Sequence, residues 1–287
     1  MKTPITASID PMGIHAKYRQ LLVACRPFLN KSNQVLLRRA FETMMVQHGN
    51  RVTNGSEPFF YHAVDVACIV SGEMGLGLNS VIAALLHDLD IGDKTLVNFL
   101  AEYKLKEVEI ICRNLDRINH LPTDKLPDNA EHFSSLLLSL TDDVRAVLIR
   151  LADRLHHMRM IEKLSISGQS SIAVETSNLY APLAHRLGLY RIKAELDELT
   201  LHFSDPVVYD SIAGNIEKAL KESSGFIREF LDPVKAELSR LGLDYVMKNR
   251  TKSVSSVFSK MKKQKVDFDE VFDLFAIRII IKTLPEN

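Results

Sequence analysis

Apolar residues recur at helical spacing along most of this chain, and short polar loops rich in Gly, Pro, Asn or Asp separate the helical segments. Two amphipathic helices are predicted within residues 15–47. Pro58 suits the first turn of a third helix. Asn79 or Ser80 suits the N-cap of a fourth. The pattern therefore predicts a mainly helical protein.

The C-terminal part of the chain changes character. A long helical stretch covers residues 207–241 and contains Pro233, where a kink is expected. Residues 275–283 (FAIRIIIKT) are rich in β-branched residues and predict a strand. One strand alone does not form a sheet. It either pairs with a nearby segment such as residues 243–249, or the chain is cut inside a larger domain, which is the favoured alternative.

Composition narrows the class of protein. The chain has 287 residues, of which 46% are hydrophobic and 25% are charged, so a sizeable core is expected. The formal net charge of zero gives no sign of nucleic-acid binding. The three cysteines are widely separated among apolar residues, which indicates free thiols in a reducing compartment. No secretory signal or bilayer-spanning run is found. We therefore expect a cytoplasmic protein without direct membrane or DNA binding.

Four polar side chains stand out because they lie in apolar helical segments: His62, His87, Asp88 and Asp153. Burying such groups without a partner is costly. Two imidazoles and two carboxylates suit a divalent ion that keeps positions open for water and substrate. Without a cysteine, the set fits manganese, iron or magnesium better than a structural zinc site. An ion of this kind indicates a hydrolase.

Each residue also has a simpler interpretation. Taken alone, His62 fits a core histidine with hydrogen-bonded ring nitrogens as well as it fits a metal ligand. Asp153 alone is a helix-face carboxylate that pairs with Arg150 or Arg154. Adjacent His-Asp pairs are common by chance. The order of His, His-Asp and a distant Asp, each after an apolar run, favours the metal site.

This order resembles that of the HD phosphohydrolase superfamily. Residues 144–159 (VRAVLIRLADRLHHMR) and 175–199 (ETSNLYAPLAHRLGLYRIKAELDEL) resemble the hydrolase half of the RelA/SpoT alarmone enzymes. Residues 249–281 (NRTKSVSSVFSKMKKQKVDFDEVFDLFAIRIII) resemble the start of the synthetase domain of the same enzymes. The resemblance runs from about residue 40 to the end, and these long segments are much more specific than the His-Asp pair.

The resemblance implies an HD-domain helical bundle followed by the incomplete beginning of an α/β synthetase domain. The implied domains are an HD-type hydrolase domain over 1–168, a helical connector over 169–203 and the N-terminal part of a synthetase domain over 204–287. The implied activity belongs to the stringent response. It is the Mn²⁺-dependent hydrolysis of the 3′-pyrophosphate of guanosine tetra- or pentaphosphate. The implied partners are this nucleotide and the missing C-terminal part of the same chain.

The resemblance also assigns roles to individual residues. His62, His87, Asp88 and Asp153 match the metal ligands. The implied substrate-binding residues are Arg51, Arg154, His157 and Arg159. Arg51 matches the arginine of a loop that is two residues longer here than in the family. Arg154 and Arg159 suit phosphate oxygens, and pairing with carboxylates on neighbouring helices is an equal alternative for both.

Two departures from the family concern catalysis and nucleotide binding. Family hydrolases carry a Glu-Asp pair at the third and fourth positions after the His-Asp pair, where this chain has Ile91 and Gly92. Asp90 and Asp93 flank them and are the candidate catalytic bases. The alternative is that both cap the loop and the next helix. His157 stands where the family has an asparagine that helps to hold the nucleotide.

On the synthetase side, the resemblance assigns ATP contacts to Arg250, Lys252, Ser256 and Lys260, and a Mg²⁺ ligand to Asp273. Without the resemblance, this basic segment predicts only a solvated face. The later synthetase motifs are absent, so Mg²⁺ is expected only in an intact synthetase domain and no alarmone synthesis is expected from this chain.

The sequence leaves three functions open. The first is the hydrolase described above, which the complete metal set favours. The second is a catalytically degenerate regulatory domain that controls the synthetase, which the replaced Glu-Asp pair favours. The third is an HD nucleotidase for another substrate, which the attached synthetase segment disfavours.

Overall fold

The computed structural model describes residues 11–48, 51, 58–121 and 130–281. The interior of the loop between Arg51 and Pro58, with its expected two-residue insertion, lies outside the described residues. The α-helices are α1 (Pro11–Ala24), α2 (Lys31–His48), α3 (Phe59–Gly72), α4 (Leu78–Leu85), α5 (Lys94–Glu102), α6 (Lys106–Asn119), α7 (Ala130–Leu140), α8 (Val144–Arg159), α9 (Ile166–Glu175), α10 (Ala181–Arg186), α11 (Tyr190–Ser204), α12 (Pro206–Arg240) and α13 (Val254–Gln264). The strands are β1 (Tyr245–Thr251) and β2 (Phe275–Ile281). The predicted mainly α fold is confirmed.

The chain divides into two compact units, Met1–Leu196 and Asp197–Asn287. The first unit is entirely helical among its described residues, and the second combines helices with the two strands. The domain boundaries at residues 168 and 203 that the sequence suggests stay predictions.

Helix α3 lies at the centre of the first unit and contacts α1, α2, α4 and α8. Its sequence explains this position, because apolar residues cover most of its circumference and Ala63 and Ala67, one turn apart, are both buried. Small side chains let neighbouring helices approach closely, and a helix that is apolar nearly all round is stable only inside a core. The polar residue on this buried helix that most needs a partner is His62, which is 5% exposed.

Helix α4 corrects one detail of the sequence prediction. It begins at Leu78 with Gly77 at the N-cap, and no side chain caps it, so the expected cap by Asn79 or Ser80 is wrong. The side-chain amide of Asn79 donates instead to Glu107 on α6, at 3.0 Å, and Ser80 is buried. The Gly77 carbonyl accepts hydrogen bonds from the backbone amides of Ser80 and Val81, as the carbonyl of an N-cap residue ordinarily does.

Helix α8 carries Asp153 into the core of the first unit. The Asp143 side chain caps its N-terminus by accepting a hydrogen bond from the Arg145 amide, at 2.9 Å. Its apolar residues pack against α3, α4, α6 and α7. Asp153 lies in the middle of this buried helix, 2% exposed.

In the second unit, β1 and β2 form an antiparallel pair with Lys248 opposite Arg278. The strand predicted near the end of the chain therefore pairs with the segment that the sequence offered as its nearby partner. Helix α12 continues through Pro233. Ser253 caps α13, which packs on α12 through a small apolar core around Val257.

One general feature concerns membranes. Among the described residues, no helix combines the length and the apolar character that crossing a bilayer requires.

Candidate metal centre

Side chains from three separate elements of the first unit meet at one point. His62 comes from α3, His87 and Asp88 from the turn after α4, and Asp153 from α8. His62 Nε2 lies 3.2 Å from Asp153 Oδ1 and 3.3 Å from His87 Nε2. His87 Nε2 lies 3.1 Å from Asp88 Oδ2. The structure thus brings together the four residues that the sequence proposes as metal ligands.

The backbone determines which nitrogen of His87 faces this cluster. Its Nδ1 lies 2.7 Å from the Ala84 carbonyl oxygen, which only accepts hydrogen bonds, so Nδ1 carries the proton. In the neutral ring Nε2 then bears a lone pair, and this atom points at His62 Nε2. Two imidazole nitrogens and two carboxylates face one another across 3.1 to 3.9 Å. A bound cation satisfies such a set of convergent lone pairs.

Asp153 gives the sharpest test of whether a metal fits. Its Oδ2 accepts a hydrogen bond from Arg150 Nη1 at 2.5 Å, whereas its Oδ1 is buried and makes no hydrogen bond. Leaving a buried carboxylate oxygen unsatisfied is costly. Burial raises the pKa of Asp153, but His157, His62 and Arg150 outweigh it, so the pKa lies well below the ordinary value and the group is ionised. The donor set and the unsatisfied oxygen both fit a divalent ion.

A second layer of polar residues supports His62. His62 Nδ1 lies 2.9 Å from His156 Nδ1, and His156 Nε2 lies 3.6 Å from Asp65 Oδ2. Lys17 on α1 donates to both oxygens of Asp65, at 2.6 and 2.7 Å. If His62 binds an ion through Nε2, its Nδ1–H donates a hydrogen bond to Nδ1 of His156. The proton of His156 then lies on Nε2, which faces Asp65. Such outer partners fix the tautomer and the orientation of a metal-binding histidine.

Sequence reasoning missed His156 and Asp65 as parts of the site. Asp65 lies three residues after His62, and His156 lies three residues after Asp153, so helical spacing already places each on the face of a proposed ligand. This spacing is a signal that a search for outer partners would use.

Arg51 and the overlooked His48 form a neighbouring pair. Arg51 Nη1 donates to His48 Nδ1 at 3.0 Å, and its guanidinium lies over the Phe59 ring, 4.7 Å from the centroid. Accepting this hydrogen bond requires His48 to be neutral. Burial, and next the charge of Arg51, lower the pKa of His48 to about 4. The signal in the sequence is that His48 extends the apolar face of α2, one turn after Met44.

Arg154 and Arg159, the other two predicted phosphate-binding arginines, both pair with carboxylates. Arg154 donates to Glu175 at 2.8 Å and lies over the Tyr180 ring. Arg159 donates to Glu73 at 2.7 Å and to Glu195 at 2.6 Å. These contacts correspond to the alternative in which the arginines join neighbouring helices, and their role in substrate binding stays a prediction.

His157 lies with the metal cluster. Its Nδ1 is 3.0 Å from Asp153 Oδ1, and its ring centroid is 4.9 Å from that of His62. Burial lowers the pKa of His157, but Asp153 raises it by more, so the net pKa lies above the ordinary value. The predicted contact between His157 and the nucleotide is not tested by these distances.

The two candidate bases, Asp90 and Asp93, both act as caps. Asp93 Oδ1 accepts hydrogen bonds from the amides of Thr95 and Leu96, at 2.8 and 3.1 Å, at the N-terminus of α5. Asp90 Oδ1 accepts one from the Gly92 amide at 2.7 Å. Since capping occupies only one oxygen of each, their role in proton transfer stays a prediction.

The residues proposed for the synthetase lie in the second unit. Lys252 and Lys260 both donate to Asp273, and they hold the pKa of its carboxyl well below the ordinary range. Arg250 lies on β1, and Ser256 lies in the first turn of α13. The unit thus joins two lysines and the aspartate that the sequence proposes for nucleotide and Mg²⁺ binding.

The chain is similar in sequence to known families and proteins. Residues 40–190 match the family described as HD domain, and residues 249–287 match a region found in RelA/SpoT proteins. A GTP pyrophosphokinase of Myxococcus xanthus is 31% identical over 87% of this chain and 33% of its own length. A guanosine-3′,5′-bis(diphosphate) 3′-pyrophosphohydrolase of Aquifex aeolicus is 30% identical over 87% and 36%. The bifunctional (p)ppGpp synthase/hydrolase SpoT of Escherichia coli is 31% identical over 85% and 35%. The chain spans about a third of the length of these relatives.

The outer layer predicts an effect on metal affinity. We expect Asp65→Asn to raise the dissociation constant for Mn²⁺ by about 10-fold, because outer partners of ligating histidines contribute about 10–100-fold. Titration calorimetry on the purified chain measures this, with circular dichroism to check the fold. Asp142→Asn, at a carboxylate that is 82% exposed, is the matched control and leaves the constant unchanged. Equal affinities in the Asp65→Asn variant and the wild type contradict the proposed support of His62.

The pKa of His48 predicts how stability changes with pH. Since the pKa falls from 6.5 in the unfolded chain to about 4 in the fold, the unfolded state binds the proton first on acidification. The contribution of neutral His48 to the free energy of unfolding is therefore present above pH 6.5 and is lost as the pH falls toward 4. Urea unfolding across this window measures the slope of free energy against pH. We expect His48→Gln to make this slope shallower, by an amount that corresponds to at most about one proton bound on unfolding. An unchanged slope contradicts the assignment.

Proposed function

This chain belongs to the HD-domain family and carries a region found in RelA/SpoT proteins, and on that premise we propose that it hydrolyses the 3′-pyrophosphate of guanosine tetra- or pentaphosphate with the help of Mn²⁺. The observation that carries the proposal is the convergence of His62 and His87 on the unsatisfied Oδ1 of Asp153, with Asp88 beside both imidazoles. The substrate follows the names of the Aquifex aeolicus and Escherichia coli relatives.

In this proposal the chain's own residues hold and orient the ion. His62 and His87 offer Nε2, since the other nitrogen of each ring faces a partner outside the cluster. Arg150 holds Oδ2 of Asp153 and so directs Oδ1 toward the ligands. A divalent ion bound there supplies Lewis-acid chemistry, which lowers the pKa of water and polarises a phosphoryl oxygen.

Arg51 is the best candidate for the phosphate contacts. It is exposed, and its contacts within the described part of the chain are with neutral His48 and the Phe59 ring. Its positive charge therefore remains available to a polyanionic substrate. Arg154 and Arg159, by contrast, already pair with glutamates, so phosphate binding by either has to displace an ion pair.

The second candidate function is a regulatory domain that has lost hydrolysis and acts on the synthetase of a longer protein. Asp90 and Asp93 favour it, because both carboxylates cap backbone amides beside Ile91 and Gly92, where the family has its Glu-Asp pair. The intact ligand set favours the hydrolase. An assay of turnover with metal binding measured in parallel separates the two.

The hydrolase proposal predicts metal-dependent release of pyrophosphate. We expect the chain to release pyrophosphate from guanosine tetraphosphate in Mn²⁺, and Asp153→Ala to lose this release because the buried ligand is gone. Asp142→Ala, an exposed aspartate near the start of α8, is the matched control and keeps the activity. If the wild type binds Mn²⁺ but releases nothing, the hydrolase proposal is wrong and the regulatory function takes its place.

A separate pair of variants identifies the base. Asparagine caps a helix as well as aspartate does but has no carboxylate to accept a proton. Asp93→Asn and Asp90→Asn therefore keep the caps and remove only the candidate base. We expect one of them to lower kcat by about 10²–10⁴-fold, the range for general base catalysis. If both keep the wild-type kcat, neither aspartate transfers the proton. Thermal unfolding confirms that the caps are intact.

A further inference from the structure

His157 extends the row of ligand atoms at the metal centre. The proposed ligands form a series of close neighbours, from Asp88 to His87 at 3.1 Å, from His87 to His62 at 3.3 Å and from His62 to Asp153 at 3.2 Å. His157 Nδ1 continues the series at 3.0 Å from Asp153 Oδ1. These spacings are the same within 0.3 Å. His157 is thus as close to its neighbour as the proposed ligands are to theirs.

The spacing of His62, Asp153 and His157 agrees with ligation of a single ion. Nitrogen and oxygen ligands lie about 2.0–2.2 Å from a divalent transition metal, so two ligands at a right angle are about 3.0 Å apart. Asp153 and His157 are four residues apart on α8, a spacing that puts two side chains on one face of a helix and is used for metal chelation. The atoms offered by His62, Asp153 and His157 all lie within 4.8 Å of one another.

The contact is an ion-pair distance that leaves Asp153 Oδ1 without a well-directed hydrogen bond. Asp153 Oδ1 is buried and has no hydrogen-bond partner, although His157 Nδ1 is at hydrogen-bond distance. When His157 is neutral with its proton on Nε2, Nδ1 and Asp153 Oδ1 each offer a lone pair to an ion. The ring of His157 also lies beside that of His62, 4.9 Å between centroids and tilted by 30°.

We propose that His157 is a fifth ligand of the ion, bound through Nδ1, so that the centre consists of three imidazoles and two carboxylates. The inference rests on the proposed metal site and goes beyond it. It changes the role of His157 from holding the nucleotide to holding the metal. A third imidazole shifts the preference from manganese toward zinc or iron, because imidazole suits these ions and carboxylate and water suit manganese. A fifth protein ligand would leave fewer positions for water and a phosphoryl oxygen than four ligands do.

The opposite interpretation makes a prediction of opposite sign. If His157 were only a cation paired with Asp153, it would compete with the metal for that carboxylate, and its removal would leave metal binding unchanged or tighter. A ligand has the reverse effect, since its removal weakens binding.

The test is a titration of the metal-free chain with Zn²⁺ and, separately, Mn²⁺, using competition with a chromophoric chelator. We expect His157→Asn to raise the Zn²⁺ dissociation constant by at least about 10-fold, the lower end of what even outer partners of a metal contribute. The effect on Mn²⁺ is smaller, so the preference for zinc over manganese falls. His120→Asn is the matched control, because His120 and Asp116 form an equivalent i,i+4 pair, with Nδ1 and Oδ1 3.3 Å apart, on an exposed helix face.

A measurement on the wild-type chain covers the case in which the variant misfolds. In ¹⁵N-edited spectra of the histidine rings, we expect Nδ1 of His157 to shift to a metal-bound value on addition of Zn²⁺, while the nitrogens of His120 stay unchanged. An unshifted His157, or a variant that binds Zn²⁺ as tightly as the wild type, overturns the inference and leaves the four-ligand hydrolase in place. Failure of the wild type to bind either metal overturns the proposed function as well.

Discussion

The buried Oδ1 atom of Asp153 constrains the whole of the first unit. It sits in a core where an unsatisfied charge is costly, and Arg150 neutralises only the other oxygen of the same carboxylate. Imidazole nitrogens of His62 on α3 and His157 on α8 lie 3.2 and 3.0 Å from this oxygen, about the distance between adjacent ligands of one metal ion. A cation bound here would relieve this cost only when these helices are in place, which would couple metal binding to the stability of the fold.

Polar groups around this centre follow a graded order of burial and charge. His62 and His87 are buried and each directs one nitrogen inward, because the other nitrogen faces a fixed partner. Farther out, Lys17 of α1 neutralises the charge of Asp65 by donating a hydrogen bond to its carboxylate. A contact to the N-terminal helix thus reaches the proposed metal ligand His62 through two intermediate side chains, Asp65 and His156. The arrangement explains why such a polar layer is tolerated between apolar helices, since each member has a partner.

Acidic residues in this chain repeatedly serve structure where the family comparison suggests chemistry. Asp93 holds the start of α5, and Asp90 holds the loop before it. Asp273 in the second unit is bound by two lysines, which occupy the carboxylate that is proposed to hold Mg²⁺. A carboxylate oxygen that caps amides or binds lysines is occupied, which leaves fewer acceptor positions for water or a metal ion.

The periodicity of apolar residues determined the mainly α fold, and the order of His62, the His-Asp pair and Asp153 determined the candidate ligands, because burial makes such residues conspicuous in apolar helices. The β-branched run likewise predicted the final strand, and the structure pairs it with the segment that was the less favoured of two alternatives. Only the tertiary structure decided that His156 contacts His62, that Arg154 and Arg159 pair with glutamates, and that Gly77 is the N-cap of α4. These contacts join residues far apart in the chain or depend on how a turn closes, so local spacing can place a residue on a helix face but does not identify its partner.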